Sequence, residues 1–310
     1  LFRSLADLPT ISTFSRLALD QMEADGAICY VPTSISAFGL YCNLGLLEAR
    51  GIAAPRTVAE FEHACEAFLA EGMTPLVANN DISFKTLALA RGMAEVYAAE
   101  DARARIAALS NDPDALAAQL RPGLDLVERF VAAGYVDAAL ALETKKTADD
   151  LDQFATGQYP FMLTGAWASV RVHDMAPDLA YEVHPLPVLD EGPVLVVNVD
   201  TRVSVNANGP HVDTAKEFAA FLTRPESIEH FANSQCSFSP LKGNAAPDDA
   251  SLRPLAGAFS SGAVVGSDDN ILLPIWGALR KCAVSLLQGG SAAQAEVQLR
   301  DLLAEGAGAR

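Results

Sequence analysis

The sequence carries little positive charge for its length. Of its 310 residues, 22 are lysine or arginine and 39 are aspartate or glutamate, so the formal net charge is −17. Binding to a phosphate backbone needs concentrated positive charge, and no cluster of lysine and arginine supplies it here. No apolar run approaches the roughly 18 residues that a membrane-spanning helix requires. The composition therefore argues against nucleic acid as a partner and predicts no transmembrane segment.

Sequence signatures of catalysis and metal binding are also missing. The chain has no nucleophile elbow, P-loop, HExxH motif or dinucleotide fingerprint. Its five cysteines show neither a CxxC pair nor metal-like spacing, which favours small buried side chains. They are Cys29, Cys42, Cys65, Cys236 and Cys282. The five histidines are scattered, so we expect no catalytic residue, no metal site and no cofactor.

Apolar residues, by contrast, are abundant. They make up 50% of the chain, enough for a sizeable buried core. A chain of 310 residues exceeds what one ordinary core supports. The sequence therefore predicts a folded protein of about two domains.

Local patterns in the first half predict short strands and capped helices. Residues 28–31 have the pattern of a strand that stops at Pro32. The small, hydroxyl-rich residues 33–37 that follow are typical of a hinge or binding edge, and also of an ordinary loop. Thr57 and Glu60 complete a capping box at the start of a helix. A later Ala/Leu-rich region predicts several helices, with a break at Pro122 and Gly123.

The stretch from residue 157 to 167 has the most informative pattern. Residues 161–164 predict a buried strand, and Gly165 then permits a tight turn with close backbone approach. Trp167 would lie where the strand end meets a helix start, the place where open α/β sheets bind ligands. An indole ring there could stack on the C–H face of a sugar. The alternative is that Trp167 is a core anchor.

The second half predicts more strands and helices. Residues 194–199 and 202–205 have the pattern of two strands, and residues 211–222 form an amphipathic helix. A segment at residues 271–288 contains Trp276, and a final helix follows it. The polar turn at 268–270 could donate or accept ligand hydrogen bonds, or could simply be solvated.

Four stretches, in a fixed order, carry a resemblance to a known family. The first comprises YVP at 30–32, GLYCN at 39–43, PRT at 55–57 and GMTP at 72–75. The others are FATG at 154–157 with GAW at 165–167, then LP at 186–187 before the helix at 215–222, then IWGALR at 275–280 with GG at 289–290. Their order resembles the extracellular solute-binding proteins of ABC importers. It is most similar to the carbohydrate-binding group that includes the maltose-binding proteins.

The resemblance implies a fold and a domain organisation. The fold is α/β and two-lobed, of the type II periplasmic-binding-protein kind, with ligand held in a cleft that closes by hinge motion. Lobe one would comprise residues 1–33 and 190–240, and lobe two residues 34–189 and 241–310. The family usually has a strand–helix–strand portion before the segment that resembles residues 1–19. We therefore expect lobe one to be partial, with an upstream segment missing at the N-terminus.

The resemblance also implies site residues. Trp167 and Trp276 fall on two sugar-stacking tryptophans of the family, and Ser36 falls where maltose-binding members place an acidic sugar ligand. Ser34, Ser83 and Lys85 fall on neighbouring loops that face the cleft. The implied ligand-binding set is Trp167, Trp276, Gly165, Ala166, Ser34, Ser36, Ser83 and Lys85.

The function implied is capture of a carbohydrate and its delivery to the membrane subunits of an ABC permease, by an exported, monomeric bacterial protein without enzymatic activity. Three alternatives stay open. The same fold could bind a polyamine, which would need carboxylates in the cleft. The chain could instead be a glycan-processing enzyme, or a sensory module that feeds a signalling partner.

Overall fold

The computed structural model describes residues 2–24, 26–243, 246–261, 264–267 and 271–308, so the polar turn at 268–270 lies outside the described residues. The helices are α1 (Arg16–Met22), α2 (Leu44–Glu48), α3 (Val58–Ala70), α4 (Ser83–Ala98), α5 (Ala102–Leu109), α6 (Pro113–Ala132), α7 (Ala138–Glu143), α8 (Asp149–Ala155), α9 (Ser169–Met175), α10 (Val212–Leu222), α11 (Pro225–Ser234), α12 (Arg253–Ser261), α13 (Ile275–Leu287) and α14 (Ala292–Gly308). The strands are β1 (Glu23–Ala24), β2 (Ala27–Ile28), β3 (Val31–Asn43), β4 (Leu76–Val77), β5 (Phe161–Gly165), β6 (Tyr181–His184), β7 (Leu195–Val203) and β8 (Val264–Gly266). Across these described ranges, no helix combines the length and apolar character that crossing a bilayer demands.

The chain divides into two compact units. Unit 1 comprises Leu1–Ala37 and Val197–Asp249, and unit 2 comprises Phe38–Val196 and Ala250–Arg310. The first two boundaries lie inside strands, since β3 and β7 each begin in one unit and end in the other. The lobe boundaries expected from the sequence lie four to nine residues earlier, after residues 33, 189 and 240.

Unit 2 is built around β3. The strand is buried along its whole length, and both β5 and β6 pair with it antiparallel. In this register Leu40 lies opposite Leu163 on one side and His184 on the other. β4 adds to the sheet parallel to β5. The register leaves the carboxyl end of β5 at Gly165, directly opposite Phe38.

The core of unit 2 consists of helices packed with this sheet. Phe61 lies at the centre of an aromatic group, with ring centroids 5.2 Å from those of Phe130 and of Phe161. The Thr57 capping box that begins α3 is present, with both of its reciprocal hydrogen bonds, as predicted. The residues that follow put the apolar face of α3 into this core.

Unit 1 has a smaller core of its own. Leu5, Phe14 and Met22 from the first segment pack with Val205 and Ile228 from the second. The two segments are also joined by a two-way backbone bridge between Ile35 and Phe238. The unit therefore depends on contacts between segments that are far apart in the sequence.

Three element predictions are wrong, each because tertiary packing overrides a local signal. Residues 28–31 are not one strand that stops at Pro32: Ile28 ends β2, and Val31 begins β3, which passes through Pro32 to Asn43, so the expected hinge at 33–37 is strand. α6 likewise continues through Pro122 and Gly123. The strands expected at 194–199 and 202–205 are one strand, β7, in which Thr201 takes a positive φ of 49°.

Candidate functional site

The turn after β5 holds Trp167 against the backbone, as its position at a strand end suggests. A Cβ atom added to Gly165 would lie 2.2 Å from Cη2 of the Trp167 ring, so the indole lies directly on the glycine. The Tyr41 hydroxyl donates to the carbonyl oxygens of Gly165 at 2.8 Å and of Ala166 at 3.2 Å. Ala166 is fully buried while Trp167 is half-buried. The turn is therefore fixed, and part of the indole faces outward.

Phe38 brings the two tryptophans together. Its ring centroid lies 5.3 Å from that of Trp167, edge to face, and 5.3 Å from that of Trp276, at a tilt of 53°. Phe38 is buried, whereas Trp276, in the first turn of α13, is half-buried like Trp167. We call Trp167, Phe38 and Trp276 the aromatic cluster. It presents two partly exposed indoles on one buried support.

Charged side chains lie next to the aromatic cluster. The Lys85 ammonium is 4.1 Å from the ring centroid of Trp276, a cation–π contact. The same ammonium pairs with Asp81 at 2.5 Å, and Lys146 also forms an ion pair with Asp81. The Arg280 Nε lies 3.7 Å from the Asp81 carboxylate and donates to the Asn80 carbonyl at 3.3 Å. We call Lys85, Lys146 and Arg280 the basic cluster.

The ionisation of this group follows from its surroundings. Burial raises the pKa of Asp81, but the hydrogen bonds from Lys146 and Lys85 outweigh burial and hold that pKa below its usual value. Burial lowers the pKa of Lys85 more than its bond to Asp81 raises it. Asp81 is therefore an anion at neutral pH, surrounded by three basic side chains.

A buried network holds Asp81 in place. The Asn79 side-chain oxygen accepts from the backbone N–H groups of Asp81 at 3.1 Å and Ile82 at 2.7 Å. Its amide in turn donates to the Asp150 carboxylate at 2.9 Å. Burial raises the pKa of Asp150, although hydrogen bonds from its neighbours oppose the shift. The turn between β4 and α4 is thus held by two buried, hydrogen-bonded side chains, those of Asn79 and Asp150.

Comparison with known proteins identifies the family. A family model described as bacterial extracellular solute-binding protein matches residues 1–256. The chain belongs to this family. The family resemblance and the mixed α/β, two-lobed fold class expected from the sequence are thereby confirmed. The family is one of exported binding proteins involved in solute import.

Solved structures of other solute-binding proteins are similar to this chain. A family 1 extracellular solute-binding protein from Bifidobacterium longum subsp. infantis has a TM-score of 0.78 and 19% identity, covering 98% of this chain and 80% of its own. The binding protein MsmE from Bacillus subtilis has a TM-score of 0.76 and 16% identity, covering 98% and 79%. A sugar transporter from Bacillus licheniformis in complex with stachyose has a TM-score of 0.73 and 17% identity, covering 98% and 80%. A search of curated proteins found no match.

Ser83 and Lys85 of this solute-binding protein were expected to lie on loops, but they do not. Both are in the first turn of α4, and both are buried. The Ser83 hydroxyl donates to the Leu163 carbonyl at 2.6 Å and accepts from the Asn79 N–H at 2.9 Å. Ser83 therefore joins α4 to β5, whereas Lys85 reaches Trp276. The Asn79 side-chain oxygen accepts from the backbone N–H groups of Asp81 and Ile82, which lie just before the first turn of α4.

Ser34 and Ser36 are placed in unit 1, within β3. The Ser36 hydroxyl donates to the Asp200 carboxylate at 2.8 Å, and the Ser34 hydroxyl lies 3.3 Å from the Thr201 hydroxyl. Asp200 also accepts from the Thr201 N–H at 2.8 Å. The position that lacks the family's acidic side chain is thus hydrogen-bonded to a carboxylate from β7. Roles for Ser34 and Ser36 in ligand binding stay predictions.

The cysteines match the expectation of small buried side chains. Cys42, Cys65, Cys236 and Cys282 are buried, Cys29 is half-buried, and none of the five forms a disulfide. Burial raises the pKa of the Cys42 and Cys65 thiols, and that of Cys282 to about 12. Among the described residues, no group of three or more His, Cys, Asp or Glu side chains could hold a metal ion.

Sequence reasoning missed most of the polar part of this site. Phe38 had only the signal of an apolar run, Arg280 stood only at the end of the IWGALR motif, and Lys146 had no signal. Asp81 and Lys85 could have been paired by their spacing of four residues, which is that of helical ion pairs. Of the expected site residues, the structure brings Trp167, Gly165, Ala166, Trp276 and Lys85 together in unit 2.

Proposed function

We propose that this solute-binding protein binds a carbohydrate on the aromatic cluster of unit 2. The observation that carries the proposal is the placement of two half-buried indoles on the single buried ring of Phe38. A sugar has apolar C–H faces and polar edges. The exposed surface of an indole ring complements the apolar C–H face. Lys85 and Phe38 both pack against Trp276, so the sugar stacks on the part of that ring that stays exposed.

Two findings support this ligand class. The family binds extracellular solutes, and the similar Bacillus licheniformis structure holds stachyose. At 17% identity that likeness concerns the fold alone, so the ligand assignment rests on the aromatic cluster.

The charges beside the aromatic cluster disfavour the two chemical alternatives. A polyamine would meet the ammonium groups of Lys85 and Lys146 where it needs carboxylates. A glycosidase needs an accessible carboxylic acid able to donate a proton, but the pKa of the ion-paired Asp81 is lowered, and Asp150, whose pKa is raised, is fully buried. Binding without turnover is the chemistry that fits this surface.

We further propose that the protein delivers its ligand to an ABC-type permease outside the cytoplasmic membrane. The support is membership of a bacterial extracellular solute-binding family. Deletion of the gene from its host should abolish uptake of the bound sugar, and a copy carrying Trp276→Ala should not restore it. Normal uptake in the deletion strain would refute delivery while leaving binding intact.

Binding is tested by tryptophan fluorescence and calorimetry with a panel of oligosaccharides. Trp167→Ala and Trp276→Ala should each weaken binding about tenfold or more, because each removes a stacking surface. Phe218→Ala is the matched control, since this aromatic is 58% exposed on α10 of unit 1. Failure of every saccharide to bind, or equal losses in the control, would refute the proposal; release of free sugar would favour the enzyme alternative.

A further inference from the structure

The basic cluster leaves an excess of positive charge beside the aromatic cluster. Three cationic side chains surround the single carboxylate of Asp81, so two positive charges remain uncompensated within the group. The guanidinium of Arg171 donates to the carbonyl of Thr147, the residue that follows Lys146, at 2.7 Å. This concentration occurs in a chain whose formal net charge is −17.

Stability alone does not account for this arrangement. One cation is enough to neutralise Asp81, and Lys85 does so at 2.5 Å. Burying Lys85 carries a desolvation cost, and further cations beside it add repulsion. Lys146 and Arg280 could instead turn to water, since their side chains are 49% and 53% exposed. Their convergence on one carboxylate beside an indole therefore suggests a ligand anion.

We propose that the carbohydrate bound by this protein is acidic, with an anionic oxygen group held by Lys146 and Arg280 while its ring stacks on Trp276. The inference rests on the proposed function and narrows its substrate class. The guanidinium and ammonium donate charge-assisted hydrogen bonds to the anion, and the planar fork of arginine suits a carboxylate or a phosphate. The positive charge of Lys85 also attracts the anion, while its ammonium stays in contact with the Trp276 ring.

The test compares matched sugars by calorimetry. The probes are glucose, glucuronate and glucose 6-phosphate, the galactose series with galacturonate, and the corresponding disaccharides. An acidic sugar should bind about tenfold more tightly than its neutral partner. Raising the salt concentration from 50 to 500 mM should weaken binding of the acidic sugar and leave that of the neutral sugar nearly unchanged, because only the former depends on screened charge.

The double variant Lys146→Gln with Arg280→Gln tests the assignment to these residues. It should weaken binding of the acidic sugar about tenfold and change that of the neutral sugar by less than about twofold. Arg105→Gln is the control, because it removes one positive charge from an exposed ion pair with Asp101 on α5. Should the double variant fold poorly, the sugar pairs and the salt series on the unaltered protein still decide.

The outcomes separate the two proposals. A neutral sugar that binds as tightly as its acidic partner refutes the inference and leaves carbohydrate binding intact. Equal losses for both sugars in the double variant would assign Lys146 and Arg280 a structural role and also refute it. If no saccharide of either kind binds, both proposals are refuted, that of carbohydrate binding and that of specificity for acidic sugars. Tighter binding of uronates than of sugar phosphates identifies the anion as a carboxylate, and the reverse as a phosphate.

Discussion

Gly165 has no side chain, and this absence lets the indole ring of Trp167 lie directly on its backbone. We predict that Gly165→Ala displaces the Trp167 ring, because the new methyl group would lie 2.2 to 2.3 Å from three of its carbon atoms. The cost should be about 1 to 3 kcal/mol of unfolding free energy, typical of overpacking. Urea denaturation measures that loss, and a changed tryptophan emission spectrum reports the movement of the ring.

Gly257→Ala is the control for this prediction. Gly257 is exposed on α12, and no atom lies within 4 Å of the added methyl group. Alanine inside a helix should stabilise the protein by up to about 1 kcal/mol. If both substitutions left stability and emission unchanged, the indole would not be held on Gly165 in solution.

Part of the site was predictable at the residue scale. Trp167 could be located because glycine ends an apolar run, which indicates a strand end. Phe38 could not, since a buried aromatic in an apolar run carries no sign of what it supports. Lys146 and Arg280 come from segments 134 residues apart, and only the folded chain brings both to Asp81.

At the scale of elements, α4 and α6 meet through glycine. A Cβ atom added to Gly123 would lie 2.0 Å from the Ala88 carbonyl oxygen, which belongs to a helix backbone and cannot move aside. We predict that Gly123→Ala destabilises the protein by about 3 kcal/mol or more. Gly277→Ala, in α13 with no atom within 4 Å, should be neutral or stabilising. Urea midpoints measure both, and a neutral Gly123→Ala would mean that the helices do not pack this closely.

The same elements show what the sequence could establish about the fold. The capping box located α3 because its signal is local, within four residues. The two predictions based on proline were wrong because the effect of a proline on an element is not decided locally. Pro32 or Pro122 would end an element only if a distant neighbour needed the backbone N–H that proline lacks. The burial of β3 and the close packing of α6 decide that both elements continue through their prolines.

At the scale of the whole molecule, the charge balance makes stability depend on pH. The chain is strongly acidic, and acid protonates its carboxylates. Asp81 differs from an exposed carboxylate because α4, α13 and the segment before α8 all direct basic side chains towards it. Its ionised form is therefore part of what holds these segments of unit 2 together.

We predict that Asp81→Asn costs about 2 kcal/mol at pH 7, since it leaves the buried Lys85 without its anion. The pKa of Asp81 is lower in the folded protein than in the unfolded chain. Its contribution is therefore complete above the unfolded value of about 4 and disappears as the pH falls through the lower folded value. Urea titrations from pH 7 to 3 should show the two proteins converging in acid. Asp101→Asn, which breaks an exposed ion pair, should cost less than about 1 kcal/mol throughout. A constant difference between wild type and Asp81→Asn down to pH 3 would show that its cost is not electrostatic.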